Sequence, residues 1–281
     1  MTPPFATRFA PSPTGWLHRG HALSALTGAA LARRAGGRFL VRIEDIDAQR
    51  SRPRFEAAIF EDLAWLGLEW ETPVRRQSQH LAQYEAALRR LIETGLLYRC
   101  FRSRSELAAI TSAPHEIGPA RTPGRHRPDE EAERLAAGEP FAWRLDIAAA
   151  VTRLAAAPLS FEETGAGPDG QRGRVVVDPY RLGDAIVARK DLGVSYHLAV
   201  VVDDALQAVS VVTRGADLFE ATHFQRLLQA LLGLPEPIYH HHPLILAPDR
   251  RRLAKRDEGE TLRALRAAGV TAAEVRASVG F

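Results

Sequence analysis

The stretch "TRFAPSPTGWLHRGHALSALTGAALARRAGGRFLVRIED", residues 7–45, decides the fold. Its first four residues read as a short strand that runs into a stiff Pro-Ser-Pro-Thr-Gly loop. From residue 20 to 35 apolar side chains recur at helical spacing, and Gly36-Gly37 stop the helix. Residues 38–45 are β-rich, largely apolar and end on two carboxylates, as a buried parallel strand does. Strand, glycine-bearing loop, helix and strand make a βαβ unit, so the first 95 or so residues open an α/β sheet. Helices are expected at about 53–67 and 79–95.

Further along, from about 96 to 180, Pro, Gly and Arg accumulate, strands are short and the alternation is lost; this segment reads as an insertion. Alternation resumes with "DAIVARKD", then "YHLAVVVDD", "AVSVVTRG" and the helical "FEATHFQRLLQALLGL". "HHHPLILAPDRRRLAKRD" ends the sheet with a strand and a basic loop, and the last 25 or so residues read as helical. The 281 residues carry 46% hydrophobic and 25% charged side chains, enough for a large core. No apolar run is long enough to span a membrane, and no secretory leader is visible at the start. The single cysteine, Cys100, excludes an internal disulfide and fits a cytoplasmic setting. A net charge of +3 tolerates a polyanionic partner without demanding one. Of 37 basic residues only Lys190 and Lys255 are lysine, so each surviving lysine stands out.

Ligands of an open α/β sheet bind beyond the carboxyl ends of the strands. The loop at 11–18 sits at such an end and feeds a helix N-terminus, whose N–H groups and dipole attract phosphate. Gly15 and Gly20 allow close backbone approach, and His18 and His21 can donate to phosphate oxygens during displacement at phosphorus. The same H-x-x-H also fits a turn with a histidine cap, or a zinc pair lacking its further ligands. "RRLAKRD" (251–257) is either a solvated basic loop or a phosphate-binding one, with Lys255 as a point charge for pyrophosphate. The triple histidine 240–242 reads as an alternating strand end more readily than as a metal site.

Read together, "RFAPSPTGWLHRGHALSAL" and "RIEDIDAQRS" resemble the opening of the glutamyl-tRNA synthetases, which are class I aminoacyl-tRNA synthetases. "HRGH" (18–21) stands where that class has HIGH, and "RLAKR" (252–256) where it has KMSKS. "YHLAVVVDDALQAVSVVTRGADL" also matches, in the same order. The resemblance implies a Rossmann-type parallel-sheet catalytic domain. Its first half would be 1–98, an inserted α+β acceptor-type subdomain 99–180, its second half 181–246, and the KMSKS-like loop with a helical tail 247–281. It implies ATP bound by Pro11, Ser12, Thr14, Gly15, His18, Gly20, His21 and Lys255, with Mg²⁺ on the phosphates. It implies glutamate bound by Arg8, Ala10, Ser12, Glu44, Tyr196 and Arg214; two arginines suit a dicarboxylate, because their planar forks grip carboxylate bidentately. His18, His21 and Lys255 would carry catalysis.

Only about 25 residues follow "LAKRD", where the larger enzymes have an anticodon reader, and "RGADL" replaces "RGEEH". Both features resemble the truncated glutamyl-queuosine tRNA(Asp) synthetases. That branch activates glutamate without tRNA and attaches it to the queuosine base of tRNA(Asp); a monomer is expected. A conventional ligase charging the 3′ end, a small-molecule nucleotidylyltransferase, and a non-catalytic tRNA- or amino-acid-binding paralogue are the rival readings. Members of the branch hold zinc in the insertion, but Arg102 stands at the second cysteine's place and no later cysteine follows, so no metal site is expected. Ala254 replaces the hydroxyl residue common before the lysine.

Overall fold

The computed structural model describes residues 5–102, 124–154, 158–189, 193–245 and 261–281. Strand β1 (Ala6–Phe9) leads through the proline loop into helix α1 (Arg19–Arg34), and β2 (Arg38–Ile43) returns parallel to β1. The helix stops at the paired glycines for two reasons. Gly36 has φ +59°, a left-handed conformation that side chains resist, and a Cβ on Gly37 would fall 2.3 Å from the Phe5 carbonyl oxygen. Next come α2 (Pro53–Trp65), β3 (Glu71–Arg76), α3 (Leu81–Glu93), β4 (Leu97–Cys100), α4 (Pro128–Ala136), β5 (Ala142–Leu145) and α5 (Ile147–Arg153). Then follow β6 (Ser160–Glu163), β7 (Gly173–Val176), β8 (Ile186–Arg189), β9 (Gly193–Val194) and α6 (Tyr196–Leu206). The chain ends with β10 (Val211–Gly215), α7 (Phe219–Leu232), β11 (Ile238–His242), α8 (Leu262–Ala267) and α9 (Ala272–Ser278).

The main sheet has the order β3-β2-β1-β10-β11-β6-β7, parallel except for β7 at the edge. The chain winds outward from β1 on one side and later from β10 on the other, so the order reverses between these two strands. Helices α1, α2, α8 and α9 cover one face of the sheet through Leu26, Phe39, Val41, Ile59, Leu63, Leu262 and Val275. Helices α6 and α7 cover the other through Leu198, Phe224 and Leu228, joined by Phe161, Val212 and Tyr239. Each such fully buried side chain contributes about 1.5–3 kcal/mol. The C-terminal tail is therefore part of the core, and it reaches back to the first loop. The Leu262 N–H donates to the Leu17 carbonyl at 2.8 Å, and His18 bridges Thr261. No helix of the described residues is long and apolar enough to cross a membrane.

Two segments differ from their sequence reading. "DAIVARKD" does not resume the parallel alternation; β8 pairs antiparallel with β5 and β9 in a second sheet of order β4-β5-β8-β9. Conversely the β6–β7 hairpin, inside the stretch read as insertion, docks on β11 in the main sheet through Glu163 opposite Tyr239. A boundary at 180 thus cuts across both sheets. The reason is physical: each strand is a four-residue run, and its partner is chosen by long-range pairing that no local pattern records.

Candidate active site

The carboxyl ends of β1 and β10 open a crevice of about 410 Å³ at the point of strand reversal. Of the residues picked from the sequence, Arg8, Ala10, Pro11, Ser12, His18, Gly20, His21, Glu44, Tyr196 and Arg214 all line it. Thr14 and Gly15 do not. They shape the loop instead, the Thr14 N–H donating to the Ser12 carbonyl at 2.9 Å. Lys255 and the rest of "RLAKR" lie outside the described residues.

The two histidines are fixed by the helix they open. His18 is the N-cap of α1; its Nδ1 accepts from the Gly20 N–H at 3.1 Å, and His21 Nδ1 accepts from the His18 N–H at 3.1 Å. This reciprocal box satisfies two donors of the first turn. It also fixes the tautomer. A neutral imidazole that accepts at Nδ1 carries its proton on Nε2, so both rings that line the crevice carry an Nε2–H. The rings lie 3.9 Å apart, centroid to centroid. Gly20 suits this arrangement, since a Cβ there would sit 3.0 Å from the His18 ring and press on it.

Arg8 and Arg214 differ in a way the sequence does not reveal. Arg8 Nε and Nη2 donate to the two carboxylate oxygens of Asp204 at 3.0 and 3.4 Å, and Nη1 donates to the Thr213 carbonyl. Asp204 also accepts from Arg42, which reaches Glu44 at 3.3 Å and Asp203 at 3.6 Å; Arg75 closes the cluster on Asp203 at 2.7 Å. Three arginines face three carboxylates, so the charge of Arg8 is already matched. Burial works against ionised Asp204, but Arg8 and Arg42 overcome it and hold its carboxyl below the ordinary value. Burial pushes the Glu44 carboxyl up, against the pull of Arg42 and Arg8.

Arg214 donates from Nε to His241 Nε2 at 3.1 Å, from Nη1 to Gln225 at 2.7 Å and from Nη2 to Thr222 at 2.6 Å. Because arginine only donates, His241 Nε2 accepts, and its Nδ1–H donates to Glu163 at 2.5 Å. Burial drives the His241 pKa down to about 4, so the ring is neutral. Arg214 is therefore a cation, 4% exposed, whose direct partners among the described residues are all neutral. A buried cation so placed favours an anionic ligand.

Glu163, Asp204 and Arg42 escaped the sequence reading, as did Ser24 and Asp217 on the crevice wall. The "HHH" run held a partial signal. His240 is half-buried beside Thr164, His241 is locked in the arginine network, and His242 lines the crevice with Nε2 2.7 Å from Ser24 Oγ. Among the described residues no group of three His, Cys, Asp or Glu side chains could hold a metal ion. In the second sheet, Arg102 donates to the Gly124 carbonyl at 3.1 Å, and Phe101 packs against His126 and Phe141 near buried Cys100. His115 lies outside the described residues.

A family model described as tRNA synthetases class I (E and Q), catalytic domain, matches residues 4–274. The glutamyl-Q tRNA(Asp) synthetase of Rhodobacter capsulatus is 46% identical over 290 aligned positions, covering 98% of this chain and 99% of that protein. The enzyme of the same name from Symbiobacterium thermophilum is 44% identical, covering 94% of this chain and 82% of its own length. A glutamate–tRNA ligase of Prochlorococcus marinus is 40% identical, but the chain spans only 55% of it. The crystal structure of glutamate-tRNA synthetase from Elizabethkingia anophelis superposes with a TM-score of 0.73 at 26% identity, over 90% of this chain and 53% of that one.

Proposed function

From the chain's membership of the class I tRNA synthetases of the glutamate and glutamine type, we propose that it activates L-glutamate with ATP and transfers it to the queuosine base of tRNA(Asp). One observation carries the substrate. Arg214, a buried cation with neutral direct partners, shares the crevice with the Glu44 carboxylate. Arg214 suits the side-chain carboxylate of glutamate, and Glu44, which accepts from Arg42 through one oxygen at 3.3 Å, borders the same crevice on the side suited to the α-ammonium. Each of Arg8 and Arg214 has three hydrogen bonds and five N–H groups, which leaves donors for the ligand.

In the first step a glutamate α-carboxylate oxygen attacks the α-phosphorus of ATP, the bond to the β-phosphate breaks, and pyrophosphate leaves. The Nε2–H groups of His18 and His21 donate to the phosphates as charge shifts onto the leaving group, and Lys255 holds pyrophosphate from the basic loop. No protein nucleophile takes part, so positioning and electrostatics supply the rate. Apart from Glu44, the acidic group on the crevice wall is Asp217, a donor set that fits Mg²⁺ carried in on substrate phosphates rather than a resident ion. Such an ion would neutralise phosphate charge. In the second step a hydroxyl of the queuosine cyclopentenediol attacks the acyl carbon, AMP leaves and an ester forms. We place this reaction in the cytoplasm, with the protein a monomer.

The test is glutamate-dependent ATP–pyrophosphate exchange without tRNA, followed by transfer of labelled glutamate to tRNA(Asp) with and without queuosine. Exchange without tRNA and label only on queuosine-bearing tRNA are expected. Absence of exchange overturns the activation step. Label on queuosine-free tRNA assigns the conventional 3′-end reaction instead.

A further inference from the structure

The crevice continues into two more cavities. Ser12, Glu44 and Tyr196 are shared with a neighbour of about 470 Å³, where Arg50, Arg144 and Arg189 gather. That cavity in turn shares Ile46, Arg189 and Val194 with a third of about 490 Å³, between α3 and the second sheet. Glu44, Ile46 and Gln49 border them in succession, and five residues of chain span at most roughly 18 Å. A single strand with splayed bases can run through the passage from the first cavity to the third.

The lining of the third cavity is unlike that of the passage. Its wall holds Trp143 and Phe141, packed edge to face with centroids 5.5 Å apart, and the Arg99 guanidinium braces the Trp143 ring at 4.8 Å. Trp143 pairs across the sheet with Arg99 on one side and with Ala188 on the other, and the small Ala188 borders the cavity beside it. Leu81 and Leu88 of α3 form the opposite wall, and Leu81 is 44% exposed. The carboxylates of Glu85 and Glu139 also border the cavity. They repel phosphate but accept hydrogen bonds from base N–H groups. An aromatic wall, apolar sides and acceptor carboxylates fit a nucleobase, while Arg144 and Arg189 of the passage, where Arg50 is paired with Asp47, fit the backbone leading to it. Arg189 borders both cavities and has no carboxylate partner among the described residues.

We propose that this third cavity receives a base of the acceptor RNA adjacent to the nucleoside that takes glutamate, stacked against Trp143. The inference rests on the reading of tRNA as acceptor given above, and it deepens that reading by assigning a second contact in the anticodon loop.

The experiment compares wild type with Trp143→Ala, Trp143→Phe and Ala188→Leu, reading pyrophosphate exchange and the KM for queuosine-bearing tRNA(Asp) in transfer. Trp143→Ala is expected to raise that KM roughly tenfold or more and to leave exchange within about twofold, since Trp143 lies outside the adenylation crevice. Trp143→Phe keeps a stacking face and most of the affinity. Ala188→Leu, which fills the space beside the ring, raises the KM like the loss of the indole. As a cycle, tRNA carrying an abasic nucleotide on either side of queuosine is compared on wild type and Trp143→Ala. One abasic position should weaken wild type strongly and the variant hardly further. An unchanged KM in Trp143→Ala with a folded protein, or abasic losses that add fully to the variant's, overturns the proposal. A wild-type dimer dispersed by Leu81→Glu would give the cavity to a second copy and overturn it as well. Absence of any transfer by wild type is a distinct result, because it removes the acceptor reading itself.

Discussion

Arg8 and Arg214 stand at the ends of adjacent strands and look equivalent in sequence, yet their surroundings divide the work between them. Arg8 is matched by Asp204 and holds the strands together, whereas Arg214 keeps its charge for a ligand. Behind Arg214, Glu163 fixes the His241 tautomer and so the lone pair that orients the guanidinium. Lysine at position 214 would retain the charge and lose the fork. Arg214→Lys is therefore expected to raise the KM for glutamate at least tenfold, as buried charged contacts are worth about 2–5 kcal/mol. The KM for ATP should stay near wild type in the same exchange assay, and an equal change in both would remove Arg214 from the glutamate pocket. Residue type and order were enough to pick Arg8, Glu44 and Arg214 from the sequence, because they sit beside motifs with a family resemblance. Glu163 and Asp204 were not legible. A carboxylate on a strand or helix looks the same whether it faces solvent or closes a buried network, and only folding brings Glu163 to His241.

At the scale of elements, the βαβ opening was readable because its signals are local: two prolines, a helical period and a glycine pair. The second sheet was not, because β4, β5, β8 and β9 are brief runs, and partners such as Leu97 and Leu145 lie nearly fifty residues apart in sequence. Helix α2 carries another feature invisible in sequence. Asp62 is fully buried; neither carboxylate oxygen has a hydrogen-bond partner among the described residues, and Arg266 of α8 approaches only to 3.9 Å. Burial raises its pKa from the ordinary 3.8 to about 6, against the pull of Arg266. A carboxyl raised on folding favours the protonated native state. The native state thus loses stability as pH rises from about 4 through 6 and stays penalised above that. Asp62→Asn should accordingly gain stability relative to wild type at pH 7.5 compared with pH 4.5, by on the order of 1–3 kcal/mol. Urea unfolding at the two pH values checks this; a difference independent of pH would show that Asp62 titrates normally.

For the molecule as a whole, helices α8 and α9 complete the main core as well as ending the chain. Leu262 is fully buried against the α1–α2 layer, and Val275 and Val279 sit in the same cluster. Leu262→Ala is expected to lower the unfolding free energy by about 2–5 kcal/mol, a large share of a domain's total, as measured by urea titration. A loss below 1 kcal/mol would mean that the tail is an appendage. The bridge between Leu17 and Leu262 also has a consequence in time. The ribosome emits the histidine loop well before its clasp. At 5–20 residues per second the N-terminal segment waits roughly 12–50 s for the residues that pin it. Until then the helix mouth lacks its brace. The histidine loop is thus completed by a contact that cannot form until some 245 further residues have been made.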